Sequence, residues 1–275
     1  MIKIQNLVEN NIAENKALQA EHGLSFFVET PNHKFLFDCG ASNKILSNSH
    51  CLGIDLAKAE AVILSHSHFD HSYGYRDVVE AGLAPKLLYH GPNFWQKKYA
   101  KSGMCYNDLS CGFDQQFLKT HGIVEKVVNG TLELTKDLWL ISDFKRTHDF
   151  ETIPKRFVKA TDEGIVADDF ADEICLVMET AKGLVVLVGC SHPGILNMIS
   201  TIHERLHKPI YGVIGGTHLM EADEERIAKT LKELKGLGIC IAGLCHCSGD
   251  LAREMISEDE SLSGCQIHVG GVVFL

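Results

Sequence analysis

The segment Ala61-Val62-Ile63-Leu64 is an unbroken apolar run, and it leads straight into His66-Ser67-His68-Phe69-Asp70-His71. No other feature restricts the fold as much. A short apolar run bounded by polar residues reads as a buried strand. Four side chains able to bind a metal then follow within six positions. Histidine nitrogens and a carboxylate suit borderline divalent ions. His66 and His68, one residue apart, can grip the same ion from an extended turn. Asp70 and His71 then turn away and can serve a second ion. A two-metal site binds both the attacking oxygen and a substrate oxygen.

The rest of the pattern predicts an α/β chain, residues 1–275 forming one domain with two sheets and outer helices. Strands are expected at Ile2–Val8, at Leu24–Thr30 with Lys34–Phe37 as a hairpin, and at Lys86–Tyr89. Helices are expected at Asn43–Ser49, Tyr73–Glu80, Pro92–Tyr99 and near Asp114–Lys119, Pro92 opening its helix. Ile123–Val128, Thr131–Leu134 and Leu138–Ile141 read as a meander. Residues 143–173 read as a long loop whose acidic part, Asp162 to Glu173, is expected to be a solvated lid or surface loop. A second hairpin, Ile174–Glu179 with Leu184–Val188, runs into Gly189-Cys190-Ser191-His192-Pro193-Gly194. Ile195, Met198, Ile199, Ile202 and Leu206 share one helical face. Strands at Ile210–Ile214 and Ile239–Ala242, helices at Glu221–Lys235 and Ser248–Ile256, and closing strands near Gln266–Val269 and Val272–Phe274 complete the order.

Three further histidines follow strands in the second half: His192, His218 in Gly215-Gly216-Thr217-His218, and His246 in Cys245-His246-Cys247-Ser248-Gly249. A lone strand-end histidine is usually a packed residue, but three at the same kind of edge suggest metal or substrate contact. The helix starts at Gly194 and at Ser248-Gly249 offer amides to phosphate oxygens. Cys245 and Cys247 lie either side of His246 on an extended segment and are expected to point away from it. His203 and His207, four apart on a helix, and His22, His33, His50, His90, His121 and His268 are expected to be surface or satisfied core residues.

Composition narrows the function. The net charge of −10 argues against nucleic acid or an anionic membrane as partner, since either needs a cationic face. It leaves a small anionic substrate open, because a bound ion dominates its local field. No apolar run approaches the ~18 residues of a membrane span, and the start has no secretion signal. The expectation is a soluble, cytoplasmic protein whose 10 cysteines are reduced.

The His-x-His-x-Asp-His stretch, with the upstream turn Phe37-Asp38-Cys39-Gly40, resembles the metallo-β-lactamase superfamily. Gly-Cys-Ser-His-x-Gly, Gly-Gly-x-His-Leu and His-Cys-Ser-Gly, in this order, are similar to the branch containing the archaeal dihydropterin-ribofuranosylaminobenzene phosphate synthase. The resemblance covers roughly residues 20–250. It implies an αββα sandwich of two facing mixed sheets, with Asp38 supporting the metal loop. It implies one ion on His66, His68 and His192 and a second on Asp70, His71 and His246, one or two per chain. Zinc is the default from ligand type; iron and manganese suit the same donors. Asp70 or a histidine would move a proton, His218 would touch substrate, and Gly194, Ser248 and Gly249 would hold phosphate. The superfamily's bridging aspartate has no counterpart at Gly189-Cys190. Cys190 either ligates as thiolate or is simply buried, and His148 is a weak candidate for the missing ligand. The implied chemistry is metal-assisted hydrolysis, or transfer in which diphosphate departs from a pterin-like substrate. Two alternatives stand beside it. One is a di-iron oxygen or nitric-oxide reductase, against which His68 and the lack of a flavin module count. The other is a non-catalytic metal- or ligand-binding protein.

Overall fold

Short apolar runs separated by Gly, Asn and Asp turns condense into sheets, and amphipathic segments cover them. The computed structural model describes every residue except 12–13, 260–261 and 266. The chain divides into two units: Met1–Val127 with Pro154–Asp172 and His268–Leu275, and Val128–Ile153 with Glu173–Ile267.

The first unit carries a seven-stranded sheet in the order Val272–Phe274, Lys3–Val8, Ser25–Glu29, Lys34–Phe37, Ala61–Ile63, Leu87–His90, Val124–Val127. The first four pair antiparallel, and the last four run parallel. Leu7, Leu36, Val62 and Leu88 face Ile45, Tyr75, Val78 and Phe94 in one core. The parallel strands Lys34–Phe37 and Ala61–Ile63 end at the same edge, where Asp38 and the His66–His71 turn follow. Ligand sites of open α/β sheets form at such carboxyl ends.

The second unit repeats the logic. Its sheet runs Ser263–Gly264, Ile241–Leu244, Ile210–Gly215, Gly183–Val188, Cys175–Thr180, Leu138–Ile141, Thr131–Thr135. Gly183–Val188, Ile210–Gly215 and Ile241–Leu244 are neighbours and parallel. Their carboxyl ends therefore deliver Cys190 and His192, His218, and His246 to one edge. The helix Ile195–Leu206 sets Ile195, Met198, Ile199 and Ile202 into the core with Val186, Val213, Leu231 and Leu234.

The α/β class is as expected; several elements differ. Pro92–Tyr99 is a turn followed by the strand Lys98–Ser102, which pairs with Cys105–Asp108. Lysine and tyrosine there join a four-stranded sheet with Phe157–Thr161 and Gly164–Ala167, so residues 143–173 are not a loop throughout. The expected meander is broken as well: Val124–Val127 pairs parallel with Leu87–His90, and only Thr131–Thr135 and Leu138–Ile141 form a hairpin. Of the acidic stretch, Asp168, Asp172 and Glu173 are buried rather than solvated. Gln266 lies outside the described residues. No helix among the described residues is long and apolar enough to cross a membrane.

Candidate metal centre

In the first unit the strand Ala61–Ile63 passes through Leu64 into a turn held by Asp38. The Asp38 carboxylate accepts from Ser65 N and Ser65 Oγ, each at 2.7 Å, and from His71 Nδ1 at 2.7 Å. Asp38 itself sits at φ 55°, a conformation a non-glycine residue adopts only when its surroundings impose it. Burial raises the Asp38 pKa more than His71 and Ser65 lower it. Both partners are buried, so the pair fixes the His71 ring and directs its other nitrogen away from Asp38. His68 is the N-cap residue of the short helix Phe69–Ser72, and that helix brings the His71 ring to 4.3 Å from the His66 ring, so His71 does not turn away from His66 as expected.

His66 and His68 present ring nitrogens within 4.8 Å of each other, as do His66 and His71. Burial pushes the His66 imidazole well below its ordinary pKa, and His71 and His68 push the same way. A neutral imidazole is the form that binds metal, so this donor set fits a divalent ion. Phe170 and Phe157 wall His68, with ring centroids at 5.3 and 5.5 Å.

Beneath the turn is a buried charge cluster whose aspartates the sequence places in a solvated loop and whose lysine it places in the helix expected at Pro92–Tyr99. Lys98 Nζ donates to Asp172 Oδ1 at 2.5 Å and lies 3.3 Å from Asp168 Oδ2. Asp172 Oδ2 in turn accepts from Ser67 N at 2.9 Å. The ammonium thus tethers the backbone between the two histidines. Burial pulls the Lys98 pKa down, yet Asp172 and Asp168 outweigh it and the net shift is upward. His22 is a second residue missed: its Nε2 lies 3.1 Å from Asp70 Oδ2, and its side chain is 55% exposed. No sequence pattern marks His22, because the pairing joins residues far apart in the chain.

In the second unit, Glu173 accepts from Ser191 N and His192 N at 2.5 and 3.0 Å, fixing the turn that carries His192. His192 and His218 place their rings 4.4 Å apart. Ser191, His218 and His246 all have φ near 50°. Ser248 Oγ accepts from Thr217 N and Thr217 Oγ1, both at 3.0 Å, so it joins the turns of His218 and His246. Cys190, His246 and Cys247 offer donor atoms within 4.8 Å of one another. The expectation that Cys247 points away from His246 therefore fails. The segment is not extended there: the left-handed His246 and the following 3-10 turn break the alternation. His148 pairs with Glu233 at 3.4 Å. The helix start at Gly194 differs from expectation: Glu151 already accepts from Leu196 N and Asn197 N at 2.9 and 2.8 Å. A carboxylate of the chain itself stands where phosphate was expected. Gly249 caps the helix Asp250–Ser257 at φ 81°.

Residues 18–103 match the family model of the metallo-β-lactamase superfamily. The chain is 30% identical, over 99% of its length and 96% of the relative's, to a 7,8-dihydropterin-6-methyl-4-(β-D-ribofuranosyl)-aminobenzene-5′-phosphate synthase of Methanocaldococcus jannaschii. Among solved structures it is similar to Tm1679, described as a metal-dependent hydrolase of the β-lactamase superfamily. That match has TM-score 0.87 and 26% identity and covers 100% of this chain and 99% of the other. The metallo-β-lactamase fold protein YhfI of Bacillus subtilis shares the fold, with TM-score 0.57, 12% identity and full coverage of both chains.

Proposed function

As the chain belongs to the metallo-β-lactamase superfamily, we propose that it is a metal-dependent enzyme acting on a small anionic, phosphorylated substrate of pterin type, with departure of diphosphate during transfer. The observation that carries this reading is 30% identity, over nearly the whole chain, to a protein named as a dihydropterin-aminobenzene phosphate synthase. In this proposal His66, His68 and His192 hold one divalent ion, and Asp70, His71 and His246 a second. Zinc suits these donors, as do iron and manganese. Such an ion supplies Lewis-acid neutralisation of charge on phosphate oxygens.

The chain's own residues do the rest. Asp38 holds His71 in one orientation through the 2.7 Å contact at Nδ1. Asp70 Oδ2 and His22 Nε2, 3.1 Å apart, pass a proton between a buried carboxylate and a solvent-facing ring. Phe157 and Phe170 limit water around His68. His218 contacts the substrate. Of the helix starts expected to bind phosphate, the one at Ser248-Gly249 is retained, since Glu151 occupies the amides beyond Gly194.

A second reading, hydrolysis of a phosphoester, is favoured by the likeness to Tm1679, described as a metal-dependent hydrolase. One experiment separates the two. Protein stripped by chelator and reloaded with zinc is given a dihydropterin methyl diphosphate, with and without the aminobenzene ribofuranosyl phosphate. Diphosphate release that requires the second substrate supports transfer; release without it supports hydrolysis. No release under either condition, across a phosphoester panel as well, refutes the proposal.

A further inference from the structure

Gly189-Cys190 carries no carboxylate, and two sulfurs stand beside His246. Cys190 Sγ and Cys247 Sγ are 3.3 Å apart, and both side chains are buried. Their sulfurs and a His246 ring nitrogen lie within 4.8 Å of one another. Each comes from the carboxyl end of a parallel strand: Cys190 after Gly183–Val188, and His246 with Cys247 after Ile241–Leu244. Two turns of the second unit thus converge on one point.

We propose that Cys190 and Cys247 ligate, as thiolates, the ion that His246 holds. The inference rests on the metal-dependent reading above and adds a donor type to it. Three observations carry it. The first is reach: two sulfurs bound to one tetrahedral zinc at about 2.3 Å each stand about 3.8 Å apart. The sulfurs therefore need to part by only about half an ångström from their present 3.3 Å. The second is that the backbone makes room for Cys247. A Cβ on Gly216 would lie 2.6 Å from Cys247 Sγ and 2.5 Å from Gly189 O, so the absence of a side chain at Gly216 is what admits the sulfur. The third is that the His218 amide donates to Cys247 Sγ at 3.3 Å, a contact that favours an anionic sulfur. A pair of inert packing cysteines requires neither an amide aimed at the sulfur nor a glycine cleared for it.

Ligation would release one proton from each thiol to solvent and add two thiolates to the donors proposed for that ion. Sulfur selects zinc, iron or cobalt over magnesium or calcium.

The test loads reduced, full-length protein with cobalt(II) and records its spectrum. The proposal expects a sulfur-to-cobalt charge-transfer band in the near ultraviolet. It should weaken in Cys190→Ser and in Cys247→Ser, disappear in the double variant, and persist in Cys51→Ser, an exposed control. Zinc-edge X-ray absorption on the wild type covers the chance that a variant fails to fold. A sulfur shell at about 2.3 Å is expected, and nitrogen and oxygen alone at about 2.0–2.1 Å overturns the inference. Metal counting on the same samples separates the two levels. Bound metal without sulfur defeats only this inference, whereas no bound metal defeats the metal-dependent reading itself.

Discussion

Replacing Lys98 by methionine isolates the buried charge cluster under the histidine turn. The substitution keeps the length of the side chain and removes its ammonium. Asp172 and Asp168, which lie 2.5 and 3.3 Å from Lys98 Nζ, then face each other without a counter-ion. Breaking a buried ion pair by removing one partner costs about 3–5 kcal/mol. For a chain of this size each kcal/mol lowers the melting temperature by about 2–4 °C, so the expected fall is roughly 6–20 °C. The pH dependence gives an independent check. Burial, ahead of the repulsion from Asp172, already raises the Asp168 pKa above 3.8, and Lys98 restrains that rise. Without Lys98 it climbs further, so the folded state binds a proton that the unfolded state does not. Stability of the variant then decreases as pH rises through that window. Thermal melts followed by circular dichroism at pH 5 and pH 8 should show a smaller deficit at pH 5. A melting temperature within about 2 °C of wild type at both pH values, or a deficit that grows on acidification, refutes the reasoning.

Asp38→Asn keeps the shape but loses the carboxylate that orients His71; metal affinity should drop about 10- to 100-fold, measured by competition with a chromophoric chelator. An unchanged affinity would remove Asp38 from the account. Glu151→Ala exposes the amides of Leu196 and Asn197 and should cost about 1–2 kcal/mol in urea unfolding. Glu151→Gln, which keeps an acceptor, should cost less, and equal losses would argue against capping. Gly216→Ala places a methyl against Gly189 O and Cys247 Sγ; a loss of about 1–3 kcal/mol is expected, and a neutral result would mean the turn relaxes freely.

The parts of the fold that were legible in the sequence are those where local chemistry and sheet position agree. Ala61–Ile63 is apolar because it is covered on both faces, and the turn after it is polar because strand ends carry ligands. The helix Ile195–Leu206 announces itself by its apolar spacing. Lys98–Ser102 and Phe157–Thr161 did not, because their partners are remote. A strand bearing two lysines looks solvent-exposed until the buried Asp168 and Asp172 that neutralise Lys98 are known. His22 was hidden for the same reason, since what marks it is proximity to Asp70. Cys247 was misjudged for a different one. Strand alternation was extended across His246, where φ changes sign and the side chains no longer alternate. Gly194 shows the converse: a helix start that reads as an anion site binds an anion, and the anion is Glu151.

The central claim is that the histidine turn forms a metal-dependent site for a phosphorylated substrate. The most direct measurement is diphosphate and phosphate release from a dihydropterin methyl diphosphate, in the presence of the aminobenzene ribofuranosyl phosphate, by zinc-loaded wild type and His68→Ala, assayed side by side at matched protein concentration. The account predicts release by the wild type that stops on chelation and returns with zinc, and loss of that release in His68→Ala. Equal turnover by the two proteins would contradict it.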